Sequence, residues 1–154
     1  MSDLRARIST AMKAAMKERD TKALGTLRLM NAAIKDRAIA LRGDGEDREP
    51  TDAEVTAVLS EMVKQRRESA RLYEEGGRLE LAAEEETEIG VIERFLPRPL
   101  SDDETAEAVN SAISDTGASS LRDMGRVMAV LKAQHAGRID FGAVGPLVKA
   151  RLAG

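Results

Sequence analysis

An all-α chain is what this sequence predicts, and three observations carry the prediction. Apolar residues recur at helical spacing in one segment after another. Capping boxes open two of those segments, Thr51 with Glu54 and Ser101 with Glu104, while glycines or prolines close them. Aromatic residues make up only 2% of the chain, so any core must come from Leu, Ile, Val, Met and many alanines, a composition that suits closely packed helices. The expected architecture is an N-terminal helical domain, residues 1–97, built on an antiparallel helical hairpin. A small three-helix tail domain, residues 98–154, follows it.

In chain order, Ser2 can cap a first helix whose apolar stripe runs Leu4, Ile8, Ala11, Met12, Ala15 and Met16. The stripe breaks at Asp20-Thr21. A second helix then carries Leu24, Leu27, Met30, Ile34 and Leu41, with Arg28 and Asn31 close enough to the stripe to be partly buried. Gly43 to Pro50, GDGEDREP, is a loop by composition. It lacks the twelve-residue calcium-loop pattern, so its acidic residues do not point to a metal.

The hairpin begins at Thr51. Val55, Val58, Leu59, Met62, Val63, Ala70 and Tyr73 form the apolar stripe of its first helix, and Gly76-Gly77 ends it with a left-handed turn. The return helix carries Leu81, Ala82, Ile89, Ile92 and Leu96 up to Pro97. Its charges suggest two readings. Lys64, Arg67 and Arg71 share one face of the outgoing helix, with Arg66 beside them, and the return helix is acidic, with Glu80, Glu84, Glu85, Glu86 and Glu88. Antiparallel register sets Arg67 near Glu85 and Lys64 near Glu88, a ladder of structural ion pairs flanking an apolar seam. The sharper reading is a basic face awaiting a polyanion.

FLPRPLSDDE marks the domain boundary, because Pro97 and Pro99 push their preceding residues out of helical geometry. The first tail helix buries Val109, Ala112 and Ile113 and stops at Gly117. Ser120 and Asp123 open a second, with Met124, Val127, Met128 and Leu131 on one face, ended by Gly137. The last segment carries Phe141, Val144, Val148 and Leu152. Pro146 lies too deep for the first turn of a helix begun at Asp140, so the spacing predicts a short turn before a helix that opens at Pro146.

The absence of cysteine excludes disulfide scaffolds and thiolate metal sites. No apolar run approaches membrane-spanning length and the opening MSDLRARIS lacks a signal-peptide core, so a cytoplasmic protein with no membrane association is expected. The net charge of -3 hides an asymmetry: residues 1–42 hold ten Lys/Arg against four Asp/Glu, whereas residues 74–97 hold two against eight. Overall pI therefore decides nothing about an anionic partner, and only local faces can. Enzyme signatures are missing. His135 is the only histidine, so a Ser-His-Asp triad or a histidine metal site has little to build on. No P-loop or dinucleotide motif appears. The sequence predicts no catalytic residues, no metal and no cofactor.

The stretch KQRRESARLYEEGGRLELAAEEETEIGVIERFLP, with MGRVMAVLKAQHAGRID and VKARL in the tail, resembles the YqeY family. The tail is also similar to the C-terminal region of the B subunit of the tRNA-dependent Asp/Glu amidotransferase (GatB). The resemblance rests on Lys64, Gln65, Arg66, Arg78, Leu81, Glu85, Glu88 and Leu96-Pro97, and on Met124-Gly125, Val127-Met128, Gly137-Arg138 and Asp140. Phe95 departs from it where a tyrosine is common, and Pro146 interrupts a usually regular last helix. It implies a two-part helical protein, a role in holding tRNA, and a family-level link to carbon-nitrogen ligase activity with glutamine as amido-N-donor. Neither the kinase-like core nor the amidase centre of that larger assembly is found here, so the chemistry itself is not expected of these residues. The resemblance makes tRNA the candidate partner, with Arg126, Lys132, Arg138, Lys149 and Arg151 of the tail as phosphate contacts and Lys64 and Arg66 as additions. The alternatives are a protein-protein adaptor that docks on an amidotransferase or an aminoacyl-tRNA synthetase, and a free-standing enzyme, which the missing nucleophile and cofactor motifs disfavour.

Overall fold

In the computed structural model, residues 3–135 and 137–153 are described. Seven α-helices and one 3-10 turn, and no strand, are found among the described residues. The chain divides into two compact units, Met1–Leu96 and Pro97–Gly154.

The first unit holds four helices: α1 (Asp3–Glu18), α2 (Thr21–Gly43), α3 (Asp52–Glu75) and α4 (Leu79–Glu93). Asp20 caps α2 by accepting from the Ala23 amide, and Thr51 caps α3 in a complete capping box with Glu54. The expected cap of α1, Ser2, lies outside the described residues. Between α3 and α4 the glycines divide their work. Gly76 has an ordinary φ of -81°, whereas Gly77 takes φ 73°, which lets the Arg78 amide reach back to the Tyr73 carbonyl. The α1–α2 turn does the same with Arg19 at φ 58°, a conformation that side chains other than glycine rarely adopt.

α3 and α4 pack along one another, and α2 touches α1, α3 and α4. The core joins Ile8 of α1, Leu27, Met30 and Ile34 of α2, Leu59 of α3 and Ile92 of α4. Burying such a side chain stabilises by roughly 1.5–3 kcal/mol. That packing, more than intrinsic propensity, holds helices of this length together.

Three expectations need correction in this unit. Met16 is 58% exposed, because the core is supplied at that end of α1 by Ala15 instead. Arg28 is exposed, while Asn31 is half-buried. α4 ends at Glu93 and not at Pro97. Its end tightens into i→i+3 bonds, from Phe95 N–H to the Ile92 carbonyl and from Leu96 N–H to the Glu93 carbonyl, and this turn buries Phe95.

The second unit holds α5 (Asp102–Thr116), a 3-10 turn at Leu121–Asp123, α6 (Met124–His135) and α7 (Phe141–Ala153). Ser101 and Glu104 form the second capping box, and Gly117 closes α5 at φ 66°. Val109, Ala112, Val127, Leu131, Val144 and Val148 make its core. Here the last segment departs from expectation. α7 runs continuously from Phe141 through Pro146. Val144, Val148 and Leu152, at i, i+4 and i+8, face the core only if one helix spans the proline, and burial of that stripe outweighs the hydrogen bond that Pro146 cannot donate. Asp140 supports the start, its carboxylate accepting from Gly142 N–H at 3.0 Å.

Candidate functional site

The charged residues of the hairpin come together differently from the expected ladder. Arg66 lies four residues after Met62, three after Val63 and four before Ala70, all buried, so helical geometry sets it on the seam itself. Its side chain is 15% exposed, and its Nε donates to Glu88 Oε2 at 2.9 Å while its Nη1 donates to the Met62 carbonyl at 3.2 Å. Arg67 reaches past Glu85 to Glu93, at 3.3 Å. Arg71 stays within α3, paired with Glu68 and Glu75. The expected pairs Arg67–Glu85 and Lys64–Glu88 are therefore not formed. Lys64 is exposed, and Arg66 pairs with Glu88 in its place.

Glu85 falls three residues after Ala82 and four before Ile89, again on the buried stripe. Burial pushes its carboxyl above the usual range, the neighbouring Glu88 charge adds to this, and the Arg66 charge opposes it. One guanidinium thus serves two carboxylates in a half-buried seam. This satisfies a structural need, and it takes Arg66 out of the set of cations free to meet a ligand.

The tail cations are mostly engaged as well. Arg126 donates to the Thr116 carbonyl at 3.2 Å and to Asp123 at 2.6 Å, securing the end of α5. Asp123 also accepts from the amides of Ser119 and Ser120, and these contacts, the Ser119 amide foremost, hold its carboxyl below the usual range. Arg138 donates from Nε to the Arg98 carbonyl at 2.9 Å, while its own carbonyl accepts from Leu100 N–H at 2.9 Å. Arg151 bonds the Ala106 carbonyl and Asn110 of α5. Lys132 lies over the Phe141 ring, 5.9 Å from its centroid. Lys149 is exposed and has no hydrogen bond or ion pair among the described residues.

A different set of cations escaped the sequence reading of the site. Of the ten Lys/Arg in residues 1–42, three are engaged: Arg5 with Glu49, Arg37 with Glu54, and Arg7 with the Arg94 carbonyl and the Phe95 ring. Lys13, Lys17, Arg19, Lys22, Arg28, Lys35 and Arg42 are exposed and make no ion pair or side-chain hydrogen bond among the described residues. The net charge of this segment was the available signal.

Between α2 and α3 lies a shallow groove of about 430 Å³, floored by Ala33, Ala57, Val58 and Met62, with the Arg37–Glu54 pair at its rim. The Arg48 guanidinium, followed by the Thr51 amide, holds the Glu54 carboxyl well below the usual range, at about 2. No group of His, Asp and Glu that could hold a metal ion occurs among the described residues. No helix there is long and apolar enough to cross a membrane. His135 Nδ1 is buried without a hydrogen-bond partner among the described residues. In comparisons with known proteins, residues 5–152 match the family described as Yqey-like protein. No curated protein matches the chain.

Proposed function

The chain belongs to the YqeY family, as the match over residues 5–152 establishes, and from that premise we propose that it is a tRNA-binding accessory protein of translation. In this reading it is related to the tail of the amidotransferase B subunit and performs no catalysis of its own. What supports it is the supply of exposed cations with no ion pair or side-chain hydrogen bond among the described residues: Lys149 in the tail and seven Lys/Arg on α1, α2 and the turn between them. Folded proteins bind nucleic acid chiefly by such phosphate-facing cations, without needing base readout. Among the tail candidates, Lys132 and Lys149 are the two whose charge is not held by a protein carbonyl or carboxylate among the described residues.

The test is titration of the purified protein with bulk tRNA over a range of salt concentration. Log affinity is expected to fall linearly with log salt, and Lys132→Gln with Lys149→Gln should flatten the slope by about 1.5, at roughly 0.7–0.9 per phosphate contact. No affinity at low salt would overturn the reading.

The adaptor reading has its own observation, the apolar groove between α2 and α3. An amphipathic helix of an amidotransferase or synthetase subunit would lay its apolar face there. Co-purification with such a subunit, lost on Val58→Glu, would favour it.

A further inference from the structure

We infer that the solvent face of α2 is the principal phosphate-tracking surface of this protein, with Arg28, Lys35 and Arg42 as its contacts; the inference rests on the tRNA reading above. These three cations stand at i, i+7 and i+14. Seven residues fall about 20° short of two full turns, so the three share one narrow stripe along the helix. Successive members lie about 10 Å apart, and the stripe extends over roughly 21 Å. All three are exposed and none has an ion pair or side-chain hydrogen bond among the described residues. The only acidic residue within α2, Asp36, is turned about 100° around the helix from Lys35. On α1, Lys13 and Lys17 stand about one turn apart and are likewise exposed and unpartnered among the described residues.

The shape of this array chooses its ligand. A small anion would be gathered by cations converging on one point, and these diverge along a rod. An acidic protein segment would need charges matched one by one to flexible side chains. A phosphodiester backbone offers regular charge over the whole length and repays a linear row of cations by releasing its condensed counterions. A lipid surface is the other extended polyanion, but α2 keeps its apolar face in the core, through Leu27, Met30 and Ile34, and exposes Leu29 and Ile39 as isolated residues instead of an insertable face. Arg126, Arg138 and Arg151 brace the second unit, and Arg37 of α2 pairs with Glu54, whereas Arg28, Lys35 and Arg42 have no ion pair or side-chain hydrogen bond among the described residues.

The experiment compares wild type, Arg28→Gln/Lys35→Gln/Arg42→Gln, and Lys132→Gln/Lys149→Gln, each titrated with bulk tRNA and with vesicles of phosphatidylserine and phosphatidylcholine. The α2 variant should melt with the wild type, since its three exposed side chains have no ion pair or hydrogen bond to lose among the described residues. Its tRNA affinity should drop by at least about tenfold at low salt, and its salt slope should flatten by about 2–3, more than in the tail variant. Wild-type binding with an unchanged slope in the α2 variant would overturn this inference and leave the tRNA reading standing. Absence of wild-type tRNA binding would overturn both. Loss of vesicle binding with tRNA binding intact would assign the face to lipid and overturn the inference.

Discussion

At the scale of single residues, the decisive fact is which arginines are spent. Arg66 was expected both as a phosphate contact and beside a ladder of ion pairs, and it sits in the seam holding Glu88. Removing a partly buried cation leaves two carboxylates facing each other without compensation, so Arg66→Ala should destabilise by about 1–2 kcal/mol, discounted from a fully buried pair because Glu88 is 34% exposed. Lys64→Ala should change stability by less than about 0.5 kcal/mol. Glu85 behaves in the opposite sense. Its raised pKa means the folded protein favours its protonated form, so its contribution is fullest below the unfolded value and is lost as pH rises through the folded value. Thermal melts between pH 4 and pH 7 should therefore show Glu85→Gln gaining on the wild type as pH rises; a constant difference would mean that Glu85 is not desolvated.

At the scale of elements, local signals and packing agree almost everywhere, and α7 is where they part. Proline in a helix interior removes a hydrogen bond and costs up to about 3 kcal/mol, so the sequence argues for a break before Pro146. The buried Val144, Val148 and Leu152 argue for continuity, and they prevail. Pro146→Ala should therefore stabilise the protein, by about 1–3 kcal/mol, with higher helix content by circular dichroism. If the helix opened at Pro146 instead, the same substitution would remove a favourable first-turn proline and lower the melting temperature.

At the scale of the whole molecule, two cores with separate residue sets suggest separate folding. The second unit is short, yet Val109, Ala112, Val127, Leu131, Val144 and Val148 are almost wholly buried within it. Domains of about 55–65 residues are near the lower limit for folding alone. The segment 97–154, produced by itself, is expected to unfold cooperatively on heating. A broad, non-cooperative melt would show that this core is insufficient without residues 1–96.

How far the sequence reached follows from what kind of interaction decides each feature. Caps, glycine turns and apolar stripes are local, and α-helical periodicity converts them directly into structure: Thr51 with Glu54, Gly77, and the stripe from Val55 to Ala70 could be read without any tertiary knowledge. The position of Arg66 on the seam was legible in the same way, by counting from Met62 and Ala70. What only the tertiary structure decided is the fate of each charge. A long arginine reaches several carboxylates or carbonyls, and which of them it takes depends on which helix lies opposite and how deep the flank is. Arg67 pairs with Glu93, Arg138 with the Arg98 carbonyl, and Arg28, Lys35 and Arg42 stay exposed without an ion pair among the described residues. Helix identity is written in short-range spacing; the availability of a cation for a partner is set by long-range packing, which engages Arg66, Arg126, Arg138 and Arg151 within the protein and leaves Arg28, Lys35 and Arg42 exposed.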